Sequence, residues 1–224
     1  MRRKTLDTIF AGGGLVMALL LGILGLALSG QNSFAKEYVA GELAAQKITF
    51  ATADKLTDAE KNWKPGSSCL VTYAGQLMAT GAQAECYAKY YIAEHMDSSA
   101  NTAGFPGATY ATLGAIRTGL TADVVAAKAR GDTAAAAAAQ KKFDDATALR
   151  TTMQTGETLR GLLLTTYGFS VIGDKADLAA NLLYGLAALL VVTSVAGFVH
   201  AYVTPKEKLI LAVTGAPSTA PGRA

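Results

Sequence analysis

The stretch TIFAGGGLVMALLLGILGLALSGQNSFA, residues 8–35, contains no charged side chain. A second run of the same kind, LAANLLYGLAALLVVTSVAGFVHAYV, occupies residues 178–203. A helix needs roughly 20 apolar residues to cross a bilayer, and both runs are long enough. Fourteen of the 20 Lys and Arg and fifteen of the 17 Asp and Glu lie between them. The expected fold is all-α, with two transmembrane helices (8–32 and 176–203) flanking an extracytoplasmic helical domain (33–175). A cytoplasmic N-terminus (1–7) and a cytoplasmic tail (204–224) with a disordered end complete it.

The flanks set the orientation. Arg2, Arg3 and Lys4 precede the first run, and Lys206, Lys208 and Arg223 follow the second. Lys and Arg near span ends mark the cytoplasmic side, so both termini are expected inside a plasma membrane and the middle outside. With the basic flanks set aside, the middle is almost neutral and carries no basic stripe of the kind nucleic acid requires. A cleaved signal peptide is the rival reading of the first run, since Ser33-Phe34-Ala35 resembles a cleavage site. The apolar stretch from Ile9 to Leu28 exceeds the roughly 7–15 residues of a signal h-region, which favours a retained anchor.

An outside domain sits in an oxidising compartment, so Cys69 and Cys86, the two cysteines of the chain, are read together as a disulfide. In one unbroken helix they would stand about 25 Å apart at 1.5 Å per residue, beyond bonding range. The bridge therefore demands a break, and Thr80-Gly81 supplies it: Thr80 can cap a helix starting nearby, with Gln83 at the capping-box position. Two unpaired buried thiols are the alternative.

The rest of the middle also reads as helical. Phe34, Tyr38, Leu43 and Ile48 suggest a helix over 33–50, and Pro65, Gly66 and two serines mark 51–68 as a loop. Residues 70–96 read as helix with the break just named, and 97–110 as a loop. Residues 123–153 form an Ala-rich pair or single helix interrupted near Gly131-Asp132, and 155–172 a further helix. The alanines at 134–139 favour helix, as a solvated arm or as a close-packed seam. No alternating β-branched run of useful length signals a strand.

Catalytic signatures are scarce. The two histidines, His95 and His200, are expected a membrane apart, so no 2-His-1-carboxylate iron site assembles within one copy. His95 reads as an exposed helix-end residue and His200 as interfacial. No Cys-x-x-Cys, nucleophile elbow or Walker pattern occurs. Glu85 and Glu94 could serve acid–base chemistry, but carboxylates on helices are usually solvated. No catalytic residue, metal set or cofactor is assigned, and a non-enzymatic role is expected. On the first span Gly14, Ala18 and Gly22 recur every four residues, a small-residue face that lets helix backbones approach closely. Gly197 and Ala201 form a shorter version on the second.

Tyr73-Ala-Gly-Gln76, Thr80-Gly-Ala-Gln-Ala-Glu85 with Tyr87-Ala88, Gly156-Glu-Thr-Leu-Arg-Gly-Leu-Leu-Leu164 and the opening Met1-Arg-Arg-Lys-Thr-Leu-Asp7 carry a resemblance. They look like segments of an actinobacterial membrane-protein family often labelled as aromatic-ring-opening dioxygenase subunits of the LigA type. The resemblance implies a two-span membrane protein of unassigned function. The histidine count argues against the iron chemistry of the label. The expected role is therefore that of a non-catalytic accessory or structural subunit, or an assembly factor, of a larger membrane complex, a respiratory one among the candidates. Its partners are then the bilayer and other membrane subunits or a second copy of the chain, and no nucleic acid. An extracytoplasmic binder of a lipid or small molecule, such as a quinone, is the alternative.

Overall fold

A computed structural model describes residues 3–205. The expected tail beyond Pro205, with Lys206, Lys208 and Arg223, lies outside the described residues, as does Arg2. Seven α-helices follow in order among the described residues: α1 (Arg3–Ala45), α2 (Asp58–Asn62), α3 (Cys69–Thr72), α4 (Gly81–Cys86), α5 (Ala93–Thr102), α6 (Tyr110–Ala129) and α7 (Thr133–Val203). A π-helical segment, Tyr87–Ile92, joins α4 to α5. The only extended pairing among these residues is a single antiparallel bridge, Thr49 with Leu77. The fold is all-α, and α1 and α7 each contain a segment long and apolar enough to cross a membrane.

The chain divides into two compact units, Met1–Asn32 with Lys175–Ala224 and Ser33–Asp174. In the first, α1 buries Ala11, Ala18, Gly25 and Asn32 at seven-residue intervals, the period of a seam between two helices. The facing segment of α7 buries Ala180, Ser194 and Ala201. Contacts fix the direction: a Cβ on Gly14 would strike the Ser194 hydroxyl, one on Gly25 would fall 2.7 Å from a Tyr184 ring carbon, and Gly197 faces the Ala11 methyl. Positions rise along α1 as they fall along α7, so the pair is antiparallel. At one end His200 Nε2 lies 3.8 Å from Asp7 Oδ2 of the neighbouring helix, with about half of its side chain exposed.

Close approach at Gly25 makes a prediction. Gly25→Leu inserts a branched side chain where the Tyr184 ring already sits, an overpacking that costs about 1–3 kcal/mol. The detergent-solubilised protein should unfold at a lower temperature by circular dichroism, and an unchanged midpoint would show that the seam does not depend on the missing side chain.

In the second unit a core forms around Leu70, Met78, Leu113 and Met153, all at most 2% exposed. Helix α1 stops at Ala45, short of the expected Phe50, because Lys47 takes a left-handed conformation (φ 54°) and turns the chain away. The expected loop 51–68 holds α2, whose N-cap Thr57 forms a capping box with Glu60. The predicted helix over 70–96 is interrupted over a longer stretch than Thr80-Gly81, since the chain leaves α3 at Thr72 and re-enters helix at Gly81. The cap itself is as expected: the Gln83 amide N–H donates to Thr80 Oγ1, and the Gln83 side-chain oxygen accepts from the Thr80 N–H. The break lets Cys69 and Cys86 meet, with Cα atoms 6.1 Å apart and the sulfurs bonded.

Helix α5 runs to Thr102, into the stretch expected as loop. The interruption near Gly131 is real and sharp: Gly131 adopts φ 71° between α6 and α7. The helices expected at 155–172 and 176–203 are one, because Gly173-Asp174 does not break α7. Of the 134–139 alanines only Ala136 is buried, so this stretch is mainly a solvated arm with one line of contact.

Candidate functional site

The residues singled out for association fall on two faces. Gly14 meets Ser194 and Ala18 is 5% exposed, so both belong to the seam with α7. Gly22 does not: among the described residues nothing lies within 4 Å of where its Cβ would stand. It opens instead onto an apolar groove of about 500 Å³ on this helix pair, lined by Leu15, Ala18, Leu19, Ile23, Tyr184 and Val191 among others. The small-residue stripe thus serves two purposes, an internal seam at Gly14 and Ala18 and an open face at Gly22. Gly25, which the four-residue spacing passes over, is the more closely packed glycine.

A second constellation lies in the other unit, and sequence spacing did not reveal it. Glu60 of α2 and Glu94 and His95 of α5 bring one ligating atom each to within 4.8 Å of one another. His95 Nε2 is 2.9 Å from Glu60 Oε1 and 3.9 Å from Glu94 Oε2. Each side chain is held from behind. Glu60 Oε2 accepts the Thr57 N–H at 2.6 Å in the capping box, and the His95 ring packs on Tyr91 with centroids 4.3 Å apart. His95 is exposed as expected, with 52% of its side chain accessible, but it is paired with Glu60 and lies inside a continuous helical run, not at a helix end. Glu94, expected to be solvated, has a side chain only 12% exposed. Glu85 pairs with Lys89, the ordinary i,i+4 arrangement of a surface helix.

The electrostatics of the two glutamates diverge. Burial pushes Glu60 up, but the Thr57 N–H bond and the hydrogen bond with His95 outweigh it and hold the carboxyl below the usual range. Burial also pushes Glu94 up, and repulsion from Glu60 and Asp97 adds to it against the opposing pull of His95. Glu94 is therefore the carboxylate least compensated by its surroundings.

His95 ends an aromatic row. Tyr73 and Tyr87 pack on Phe50 with centroids 5.5 and 5.4 Å away, and Tyr87 stacks on Tyr91 at 4.6 Å. Burial, reinforced by Tyr91, pushes the Tyr87 hydroxyl up to about 12, so it stays protonated in neutral solution. Tyr87 and Tyr91 of this row lie on the π-helical segment, a backbone form that recurs at functional sites. Together with His95, Met96, Gly156 and Leu159, these two tyrosines line an open groove of about 770 Å³ between α5 and α7. The groove's Thr151, Thr152 and Thr155 hydroxyls each donate to a carbonyl one turn back. His95 and the tyrosines, with the acceptor lone pairs of the threonine and Ser99 hydroxyls, are its polar groups for an incoming molecule.

Comparison with protein-family models, with curated proteins and with solved structures returned no match. The functional reading therefore rests on the geometry of this chain.

Proposed function

We propose that this chain is a non-catalytic accessory or assembly subunit of a larger membrane complex in the cell envelope. In this reading the antiparallel pair of apolar helix segments anchors it in the plasma membrane. Both ends face the cytoplasm, and residues 33–174 stand outside. The Lys and Arg flanks favour that orientation, and a Cys69–Cys86 bridge suits an oxidising compartment. The resemblance to a two-span actinobacterial family fits the same picture.

The observation that carries the proposal is the open Gly22 face. In lipid, helices gain nothing from hiding apolar surface, so association depends on close backbone approach at small residues. Ala18 and Gly22 floor a groove about three turns long between flanking leucines and isoleucine, and nothing among the described residues fills it. A transmembrane helix of a partner subunit is the occupant this floor suits. Gly22→Leu should reduce partner recovery several-fold on purification in mild detergent while leaving membrane insertion and the α1–α7 seam intact. A monodisperse, partnerless protein on which Gly22→Leu has no effect would overturn the reading, and self-association alone would identify a second copy as the occupant.

One observation favours the alternative, a binder of a lipid or quinone-like molecule: the aromatic groove between α5 and α7 has the volume of a ligand site. A lipid or quinone extracted in stoichiometric amount from the purified protein would support it.

A further inference from the structure

The Glu60–Glu94–His95 constellation has a charge imbalance that its own residues do not correct. Both carboxylates are largely shielded, with side chains 7% and 12% exposed. Among the described residues, the only basic side chain within 4 Å of either is His95. One imidazole supplies at most one positive charge, and Asp97 adds a further negative charge nearby. Unpaired charge away from water is costly, and in proteins it is matched by a partner or by a metal ion.

From this geometry we propose that Glu60, Glu94 and His95 bind a divalent transition-metal ion, of the class to which zinc belongs, through one imidazole nitrogen and two carboxylate oxygens. The donor set suits that class: imidazole selects zinc, iron, nickel and copper over calcium or magnesium, and carboxylates complete the shell. The spacing suits it as well. Zinc holds nitrogen at about 2.0–2.1 Å and carboxylate oxygen at about 2.0–2.2 Å, which places ligands of a tetrahedron roughly 3.4 Å apart. The two separations from His95 Nε2, 2.9 and 3.9 Å, bracket that value, and all three ligating atoms lie within 4.8 Å of one another. A metal ion needs the Nε2 lone pair free, so any proton carried on that nitrogen would leave to solvent or move to Nδ1 on binding.

The supports behind the ligands are those of a built site. Ligand side chains of metal centres are oriented by outer hydrogen bonds and packing. Here the Thr57 N–H fixes Glu60 through the oxygen that would not ligate, and Tyr91 fixes the imidazole plane. Three protein ligands leave a coordination position open, as in sites that keep a bound water. His95 also lines the aromatic groove, so a molecule lodged there would lie beside the ion.

The test uses the full chain, purified in detergent with any affinity tag removed and pre-treated with chelator. Titration with zinc chloride by calorimetry should show one saturable site per chain. Titration with cobalt chloride should develop visible absorption bands of a low-symmetry centre. Glu94→Gln keeps the shape of the side chain, and with His95→Ala it should weaken zinc binding about 100-fold or more, above the 10–100-fold typical of outer-shell losses. His200→Ala, in the other unit, should leave it unchanged. Circular dichroism matching the parent establishes that the variants are folded. Absence of saturable zinc binding in the parent would overturn the site. Zinc binding of equal affinity in folded Glu94→Gln and His95→Ala would also overturn it.

Discussion

Cys86→Ala should lower the stability of the 33–174 unit by about 3 kcal/mol, the loss expected for a loop of this length in the chain-entropy account. The two cysteines are 17 residues apart in sequence. In a unit of this size such a loss corresponds to a fall of roughly 10 °C in melting temperature. The bridge matters more than its loop suggests because of what it spans. The segment from Tyr73 to Thr80 is not helical, yet it carries Met78, fully buried in the core. Its backbone is tied to residues 48–51 by few bonds: Met78 N–H to Ile48 O, Phe50 N–H to Gln76 O, and Gly75 N–H shared between Phe50 O and Ala51 O. Without the bridge, α3 and α4 are held together by that short pairing and by side-chain packing. Thermal unfolding followed by circular dichroism, with and without reductant, measures the effect. Non-reducing peptide mapping should recover Cys69 and Cys86 in one linked peptide, and membrane fractionation should show insertion unchanged. Two freely alkylated thiols in unreduced protein, or a melting temperature indifferent to Cys86→Ala, would contradict it.

What the sequence made legible follows from the range of the interactions involved. The Thr80–Gln83 cap and the Gly131 break are local: a side chain and a backbone amide three residues apart, or one residue in a left-handed conformation, decide them. Both could be read directly. The disulfide was reachable because one helix break and one pair of cysteines leave little choice. Helix continuity was less legible. Gly173-Asp174 looks like a boundary, but nothing in the surrounding fold requires a turn there and α7 runs through. The Gly14–Ala18–Gly22 stripe showed that small residues matter without showing which face each serves, since 3.6 residues per turn rotates a four-residue series slowly around the helix. The Glu60–Glu94–His95 cluster was out of reach. Its members lie 35 positions apart at the extremes, and their meeting depends on how the segment from α2 through α3 and α4 folds back to bring α5 beside α2. The one local hint was the capping box at Thr57–Glu60, which orients one glutamate and says nothing of its partners.

Leu113→Ala should destabilise the same unit by about 2–5 kcal/mol, the range for removing a large aliphatic side chain from a packed core. Helix α6 has little with which to hold its place. Its fully or nearly buried residues are Leu113, Val124 and Ala127, and much of the remainder is alanine, glycine and threonine. Leu113 is the largest of the three and fully buried, with Ile116 and Leu120 packing only partly against the core. The polar contacts to α7 are few and lie on either side of it. Arg150 sits 4.0 Å over the Tyr110 ring and Arg117 5.0 Å over the Phe143 ring. Arg117 Nε also donates to Thr147 Oγ1 at 2.9 Å. A cation over an aromatic ring near the surface contributes about 0.5–1 kcal/mol, so these contacts cannot replace a lost leucine. The cavity left by Leu113→Ala should therefore loosen α6 before the rest of the unit, with hydrogen exchange rising first over 110–129. Val125→Ala, on the same helix but 62% exposed, is the matched control and should stay within about 0.5 kcal/mol of the parent. Equal effects from the two substitutions, or a loss at Leu113 below about 1 kcal/mol, would mean that α6 is not held through this core position.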